Sequence, residues 1–192
     1  MESEELFKQN IRSRVNISDN DLLKIFSKAH QKKIKKGQYI IHSDAGVQKT
    51  NFIVKGAAIG YFIDAEGAEH VIQFAFEGWW ISDLYSYIKA EPAILNVVAI
   101  EDCEILQFNA SDINQLYDEI PALARYFLII TQNGFLNFQL RVLNNLSMSA
   151  EERYLEFIKK YPKIELRLAQ KHIASYLGMS AEFLSKIKKR LS

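Results

Sequence analysis

The chain has 192 residues, 48% of them hydrophobic, and a net charge of +1, enough apolar material for a real core in one or two domains. No apolar run approaches the ~18–20 residues that span a bilayer, and the polar start MESEELFKQN is unlike a signal peptide, so a soluble cytoplasmic protein without a membrane partner is expected. The single cysteine, Cys103, excludes an intrachain disulfide and an all-cysteine zinc or iron–sulfur site within one chain; set in IEDCEILQF, it is expected to be a buried small hydrophobe.

Residues 3–33 have helical patterning. Ser18 with Asp21 three positions on is a variant capping box, and it opens a helix whose apolar face is Leu22, Leu23, Ile25, Phe26 and Ala29. The basic run KKIKK at 32–36 is expected to be a solvated surface before the first strand.

From Gly37 to Phe108 the period changes to two. QYIIH, NFIVKG, AIGYFI, HVIQFAF and NVVAIEDCEILQF are rich in Ile, Val, Phe and Tyr, and glycines punctuate them at 37, 46, 56, 60, 67 and 78. Many short strands between frequent turns predict an antiparallel sandwich or roll, with AEGAEH at 65–70 as a hairpin tip.

Asp112 to Leu146 returns to helical patterning. After Pro121 the apolar residues are too many for one solvated stripe, so this helix is covered on more than one side. Leu123, Phe127 and Ile130 step by four and three, as do Leu136, Leu140 and Leu143, which suits a packed helix pair across a dimer or a helix buried between the chain's own domains. Ser149 begins the next helix, Ala150 to Lys160, with Glu151 and Glu152 where the helix dipole favours them. YPK at 161–163 ends it, and IELRL at 164–168 reads as a short strand.

The stretch QKHIASYLGMSAEFLSKIKK, Gln170 to Lys189, holds two short helical patterns that meet at Gly178. Ile173, Leu177, Leu184 and Ile187 form the apolar seam of a crossing pair, and Ala174 is small where the second helix passes over it. Gly178 supplies the left-handed residue of the turn, and Ser180 caps the second helix, with Phe183 at its third position. This is the pattern of a DNA-binding helix-turn-helix, although an ordinary helical hairpin with a glycine corner shares it. Charge separates the two. From Leu146 onward ten Lys and Arg face five Asp and Glu, a net +5, whereas the preceding residues carry −4. Such a basic segment on a helix-turn-helix is the footprint of phosphate contacts.

A β-rich domain, one long apolar helix and a terminal helix-turn-helix, in that order, resemble the Crp/Fnr family of bacterial transcription regulators. The segments KKGQYI, NFIVKGAAIGYF, EGWWISDL, VVAIEDCEILQF and IASYLGMSAEFLSKIKKRL carry the resemblance over nearly the whole chain. It implies an α+β fold: an N-terminal antiparallel β jelly roll, a long dimerisation helix, and a C-terminal winged-helix-type helix-turn-helix with a truncated wing. The expected divisions are 1–118 for the cyclic-nucleotide-binding-like sensor, 119–146 for the dimerisation helix and 147–192 for the DNA-binding domain. Duplex DNA, a second copy, RNA polymerase and an unidentified small-molecule effector are the implied partners; no cofactor and no catalysis are expected.

In cyclic-nucleotide-binding members a cassette G-E-L…R-[ST]-A binds the ribose hydroxyl through its glutamate and the phosphate through its arginine. The shared register from Ala99 to Glu104 puts Ser82, Asp83 and Leu84 on the first triplet and Ala93, Ile94 and Leu95 on the second. The carboxylate survives in shortened form; the arginine does not. An anion buried without a cation is costly, and Lys89, the nearest one in sequence, would need a different loop path. Control by cyclic AMP or cyclic GMP is therefore not expected. The effector pocket these six positions imply is apolar, lined by Ile94 and Leu95 with Trp79 or Trp80, although core packing or a domain contact suits the tryptophans better. The lone His30, His42 and His70 fit a haem ligand poorly.

The family reads bases with R-E-x-x-x-R, matched here by Ala181, Glu182 and Lys186. Glu182 can accept from a cytosine amino group, Lys186 can reach guanine, and Ala181 can touch a thymine methyl. Ser180, Ser185, Lys188, Lys189 and Arg190 are candidates for backbone phosphates. The chain stops at Ser192, where the family often continues into a hairpin wing. A cupin-type metal enzyme would need clustered histidines, and no H-x-H occurs. The competing reading is a ligand-sensing or protein-interaction module of the same fold that has lost specific DNA binding, for which Ala181 and the missing wing speak.

Overall fold

The computed structural model describes residues 2–46 and 49–191. Two N-terminal helices, α1 (Glu2–Arg12) and α2 (Asp19–Ser27), lead into strands β1 (His30–Ile34), β2 (Tyr39–Ile41), β3 (Lys49–Lys55), β4 (Ala58–Ile63), β5 (Glu69–Ala75) and β6 (Trp80–Ile81). A short helix α3 (Leu84–Lys89) precedes β7 (Asn96–Ala99) and β8 (Cys103–Asn109). The rest is helical: α4 (Ala110–Glu119), α5 (Pro121–Ser147), α6 (Ala150–Lys160), a 3-10 turn at Ile164–Leu166, α7 (Gln170–Tyr176) and α8 (Ala181–Leu191). The chain forms two compact units, Met1–Phe62 with Gln73–Thr131, and Ile63–Ile72 with Gln132–Ser192.

The eight strands make two four-stranded antiparallel sheets of a jelly-roll-like fold, ordered β1-β8-β3-β6 and β2-β7-β4-β5. Successive residues of a strand face opposite ways, and β3 and β8 use both faces. Ile53 and Ile105 join Ile41, Ala58 and Val97 in an apolar cluster that draws on both sheets. Their neighbours Phe52 and Leu106 join a second cluster with Phe7, Ile11, Leu22, Ile113 and Leu123 from the helices. Phe7 stacks on Phe108 at 5.5 Å and meets Phe52 edge-on at 5.4 Å; burying one such ring contributes roughly 1.5–3 kcal/mol. Cys103 is buried in the first cluster, and burial pushes its thiol up to about 11.

Gly56 turns β3 into β4 with φ +90°, and a Cβ there would lie 2.5 Å from the Asp102 carbonyl oxygen. Backbone cannot yield as a side chain can, so this turn demands glycine.

Local signals hold where the chain supplies its own partner. Ser18 Oγ accepts from Asp21 N–H at 3.1 Å to open α2, and Ser149 with Glu152 closes a full capping box on α6. Three expectations fail, each through tertiary context. Residues 30–33 are strand rather than helix, because β1 pairs with β8 from His30↔Gln107 to Ile34↔Cys103. The lysines of the KKIKK run are exposed as expected, but the run lies partly within that strand and not before it; beyond it Lys35 Nζ sits 2.8 Å from Asp102 while the Lys36 N–H donates to the same carboxylate. The third is 164–168, which is a 3-10 turn and not a strand. Ile164 and Leu168 are buried while Leu166 is 81% exposed; strand alternation would put all three on one face, and a spacing of four does not.

The long helix exists as expected, Pro121–Ser147, but its two apolar triads differ. Leu123 is fully buried in the helix-and-sheet cluster, with Phe127 and Ile130 packed against it. That triad therefore packs on the core of the first unit. Leu136, Leu140 and Leu143 are exposed.

Candidate nucleic-acid interface

In the second unit α7 and α8 cross at a left-handed residue. Gly178 has φ +69°, and around it the N–H groups of Leu177 and Met179 donate to Ile173 and Ala174 carbonyls, both at 3.0 Å. Ile173, Ala174, Leu177, Leu184 and Ile187 are all buried, which is the seam expected from their spacing. Ser180 Oγ accepts from the Phe183 N–H at 3.1 Å and caps α8. Gln170 Nε2 donates to the Ala181 carbonyl at 2.9 Å, tying the start of α7 to the start of α8.

With Leu184 and Ile187 turned inward, the opposite face of α8 is solvent-facing. Glu182, Lys186 and Lys189 follow at steps of four and three along one exposed stripe, with Ser180 and Ser185 exposed beside it and Ala181 half-buried. The Glu182 carboxyl is held below its ordinary value by its own backbone N–H and by Ser180, so it is an acceptor at neutral pH.

The remaining basic residues are engaged. Lys188 Nζ donates to Glu165 Oε1 at 2.6 Å, and Arg190 pairs with Glu151 in the first turn of α6. Tyr154 donates to the same Glu165 oxygen at 2.9 Å. Burial works against the Glu165 carboxylate, but the hydrogen bonds from Lys188 and Tyr154 hold its pKa below the ordinary value. Burial, with Glu165 beside it, pushes the Tyr154 hydroxyl up to about 12.

Sequence reasoning missed two features. Phe183, treated there as a position in a cap, is 50% exposed between Glu182 and Lys186. Its step of one from Leu184 on the seam was the available signal, since at 100° per residue it cannot join that face. The other is the segment Ile63–Ile72, which packs in the second unit on α7. Ser175 Oγ accepts from Val71 N–H at 2.8 Å and donates to the Glu69 carbonyl at 3.0 Å. Arg141 Nη1 donates to the Ile72 carbonyl at 2.8 Å, and Lys171 lies 3.9 Å from Glu69. No local pattern announces contacts more than a hundred residues apart.

The six effector positions lie in the first unit around α3. Asp83 is buried and caps α3, accepting from Ser86 N–H at 3.1 Å; its other oxygen accepts from Ile94 N–H at 2.6 Å and Leu95 N–H at 2.7 Å. Ala90, with φ +58°, ends the helix and lets the chain return. Ser82 accepts through its carbonyl from Gln73 Nε2 at 2.7 Å, while Leu84 is exposed. Ala93 is buried in the apolar cluster between the sheets, and its backbone pairs with Asp44 and Ala45. Ile94 is 56% exposed and Leu95 half-buried. Trp80 belongs to the helix-side core, where its indole N–H donates to Tyr126 at 2.7 Å, and Trp79 stacks on Phe74. Of the histidines, His70 is bonded to Asp64 at 2.6 Å, and His42 Nδ1 lies 2.8 Å from the Ser43 carbonyl.

Among the described residues no helix is long and apolar enough to cross a membrane. Residues 31–119 match the family of the cyclic nucleotide-binding domain. No curated protein sequence matches the chain. Solved structures do. The c-di-GMP responsive global regulator CLP of Xanthomonas campestris covers 91% of this chain with 91% of its own, at a TM-score of 0.76 and 11% identity. FixK2 of Bradyrhizobium japonicum covers 85% with 84% of its own, at 0.71 and 20% identity. The catabolite activator protein of Thermus thermophilus covers 92% with 84% of its own, at 0.57 and 17% identity. At identities this low, the structural similarity establishes a shared fold and nothing further.

Proposed function

Because residues 31–119 match the cyclic nucleotide-binding domain family and the whole fold is that of Crp/Fnr-type regulators, we propose that this chain is a DNA-binding transcription regulator. It binds a palindromic operator as a dimer and is not controlled by cyclic AMP. The observation that carries the proposal is the exposure of Glu182, Lys186 and Lys189 on one stripe of α8 while Leu184 and Ile187 anchor its other side. A major groove accepts a helix presented this way. Glu182 and Lys186 are the base-reading pair, Ala181 and Phe183 offer apolar contact to thymine methyls, and Ser180, Ser185 and Lys189 hold phosphates.

Dimerisation is supported by α5. Phe135, Leu136, Phe138, Leu140, Leu143 and Leu146 are each more than half exposed, and large apolar side chains gathered on one exposed helix mark an interaction surface. A second copy of the same helix, stepping by four and three, covers it. In this reading 1–118 senses, 119–146 pairs the copies and 147–192 reads DNA.

The competing reading, a module of this fold without specific DNA binding, is favoured by the internal pairing of Lys188 and Arg190, which removes two cations from the phosphate face. Selection of duplexes from a random pool by the purified full chain separates the two. Recovery of a palindrome supports the regulator; failure to retain any duplex at low salt supports the module.

A further inference from the structure

Three backbone N–H groups converge on one side chain in the sensor unit. Ser86 donates to Asp83 Oδ1 at 3.1 Å, and the successive N–H groups of Ile94 and Leu95 donate to Oδ2 at 2.6 and 2.7 Å. Consecutive N–H groups aimed at one point form an anion-binding nest. Here the anion is supplied by the chain itself, and the carboxylate is 1% exposed. The resemblance places Asp83 in the first triplet of the cyclic-nucleotide cassette and Ile94 and Leu95 in the second, and Ala93, matched to its arginine, lies in apolar core.

We propose that the Asp83 carboxylate is an internal ligand. It fills the nest made by the Ile94 and Leu95 amides, holds the 90–95 loop against α3, and keeps the sensor unit in one conformation without an anionic effector. The inference rests on the reading, given above, of a regulator not controlled by cyclic AMP, and names how that independence is built. Its physical basis is the strength of a buried carboxylate that accepts two short backbone bonds: an incoming phosphate must displace a partner already covalently tethered, at high effective concentration. Nothing is gained by the exchange unless a cation accompanies the newcomer, and Ala93 supplies none.

The test is amide NMR on the full chain without DNA, using cyclic AMP and, separately, inorganic phosphate as probes. In the wild type the Ile94 and Leu95 resonances are expected to stay in place up to about 1 mM of either probe, which corresponds to a binding free energy weaker than ~4 kcal/mol. Asp83→Ser keeps a side-chain cap for α3 but is too short to reach the 94–95 amides. It is expected to vacate the nest, so that the same two resonances shift saturably with about tenfold tighter phosphate uptake than the wild type. Saturable movement of the wild-type resonances by either probe overturns the proposal. So does an Asp83→Ser protein that melts cooperatively yet responds to neither probe. If Asp83→Ser does not fold, Asp83→Asn, which keeps the cap but removes the charge, takes its place with the same two outcomes. Because no DNA is present, a failed operator selection leaves this result standing, and the reverse holds equally.

Discussion

The Arg141 guanidinium of α5 lies 4.5 Å from the ring centroid of Tyr176 in α7, and the same side chain donates to the Ile72 carbonyl. One planar cation thus joins three segments of the second unit. Arg141→Ala is expected to destabilise that unit by about 2–4 kcal/mol, the sum of a half-exposed cation–π contact and one charged hydrogen bond. Arg141→Lys is expected to recover less than half, since an ammonium cannot stack and donate sideways at once. Urea unfolding of the three proteins, followed by circular dichroism, measures both.

Glu165 sits under the end of α8 and holds Lys188. Its pKa is depressed in the folded state, so its contribution to stability is fully present above the ordinary glutamate value and is lost as pH falls through the depressed one. Wild-type stability is therefore expected to fall more steeply below about pH 4.5 than that of Glu165→Gln. On DNA the direction reverses. Glu165→Gln releases Lys188 for phosphate, and binding is expected to tighten with a log–log salt slope steeper by about one. Gel shifts across a salt series read that slope.

Two glycines are expected to differ sharply under the same substitution. At Gly178 a Cβ would meet nothing within 4 Å, so Gly178→Ala costs only the left-handed backbone, about 1 kcal/mol. At Gly56 the backbone oxygen of Asp102 stands 2.5 Å from the new atom, so Gly56→Ala adds overlap to the same strain and is expected to cost roughly 3 kcal/mol or more. Thermal melts of the two variants give the comparison.

The exposed leucines of α5 test the paired state. Leu136→Glu with Leu143→Glu places carboxylates in a surface that a second copy must desolvate, and each unpaired buried charge costs several kcal/mol. The double variant is expected to sediment as a monomer and to lose operator binding, while its melting is nearly unchanged because both side chains are already exposed in the single chain.

On α8 the expected effects separate by type of contact. Lys189→Ala weakens all sequences alike and flattens the salt slope by about one, as a phosphate contact should. Glu182→Ala relaxes preference at one position of each half-site, by about 1–3 kcal/mol of discrimination. Phe183→Ser is expected to lower preference for a thymine in the first turn's footprint without moving the salt slope. Operator libraries randomised at single positions distinguish the three.

Much of this molecule was legible from the chain alone, wherever a pattern and its partner lie close together. The period-two segments became strands because alternation needs only a buried face. Ser18, Ser149 and Ser180 became caps because the N–H they accept from is three residues away. Ile173, Leu177, Leu184 and Ile187 met across Gly178 because a single turn separates their helices. Tertiary structure alone decided the rest. His30–Ile34 became a strand because β8, some seventy residues later, offered its edge. Leu123 went into the core of the first unit while Leu136, in the second, stayed exposed, though both sit in the same spacing, because only the first met apolar partners from distant elements. Asp83, read as a remnant of a ligand site, became a clamp on Ile94 and Leu95. The physical reason is common to all three: short-range periodicity specifies which face of an element is apolar, but not which distant surface arrives to cover it or which distant amide arrives to use its charge.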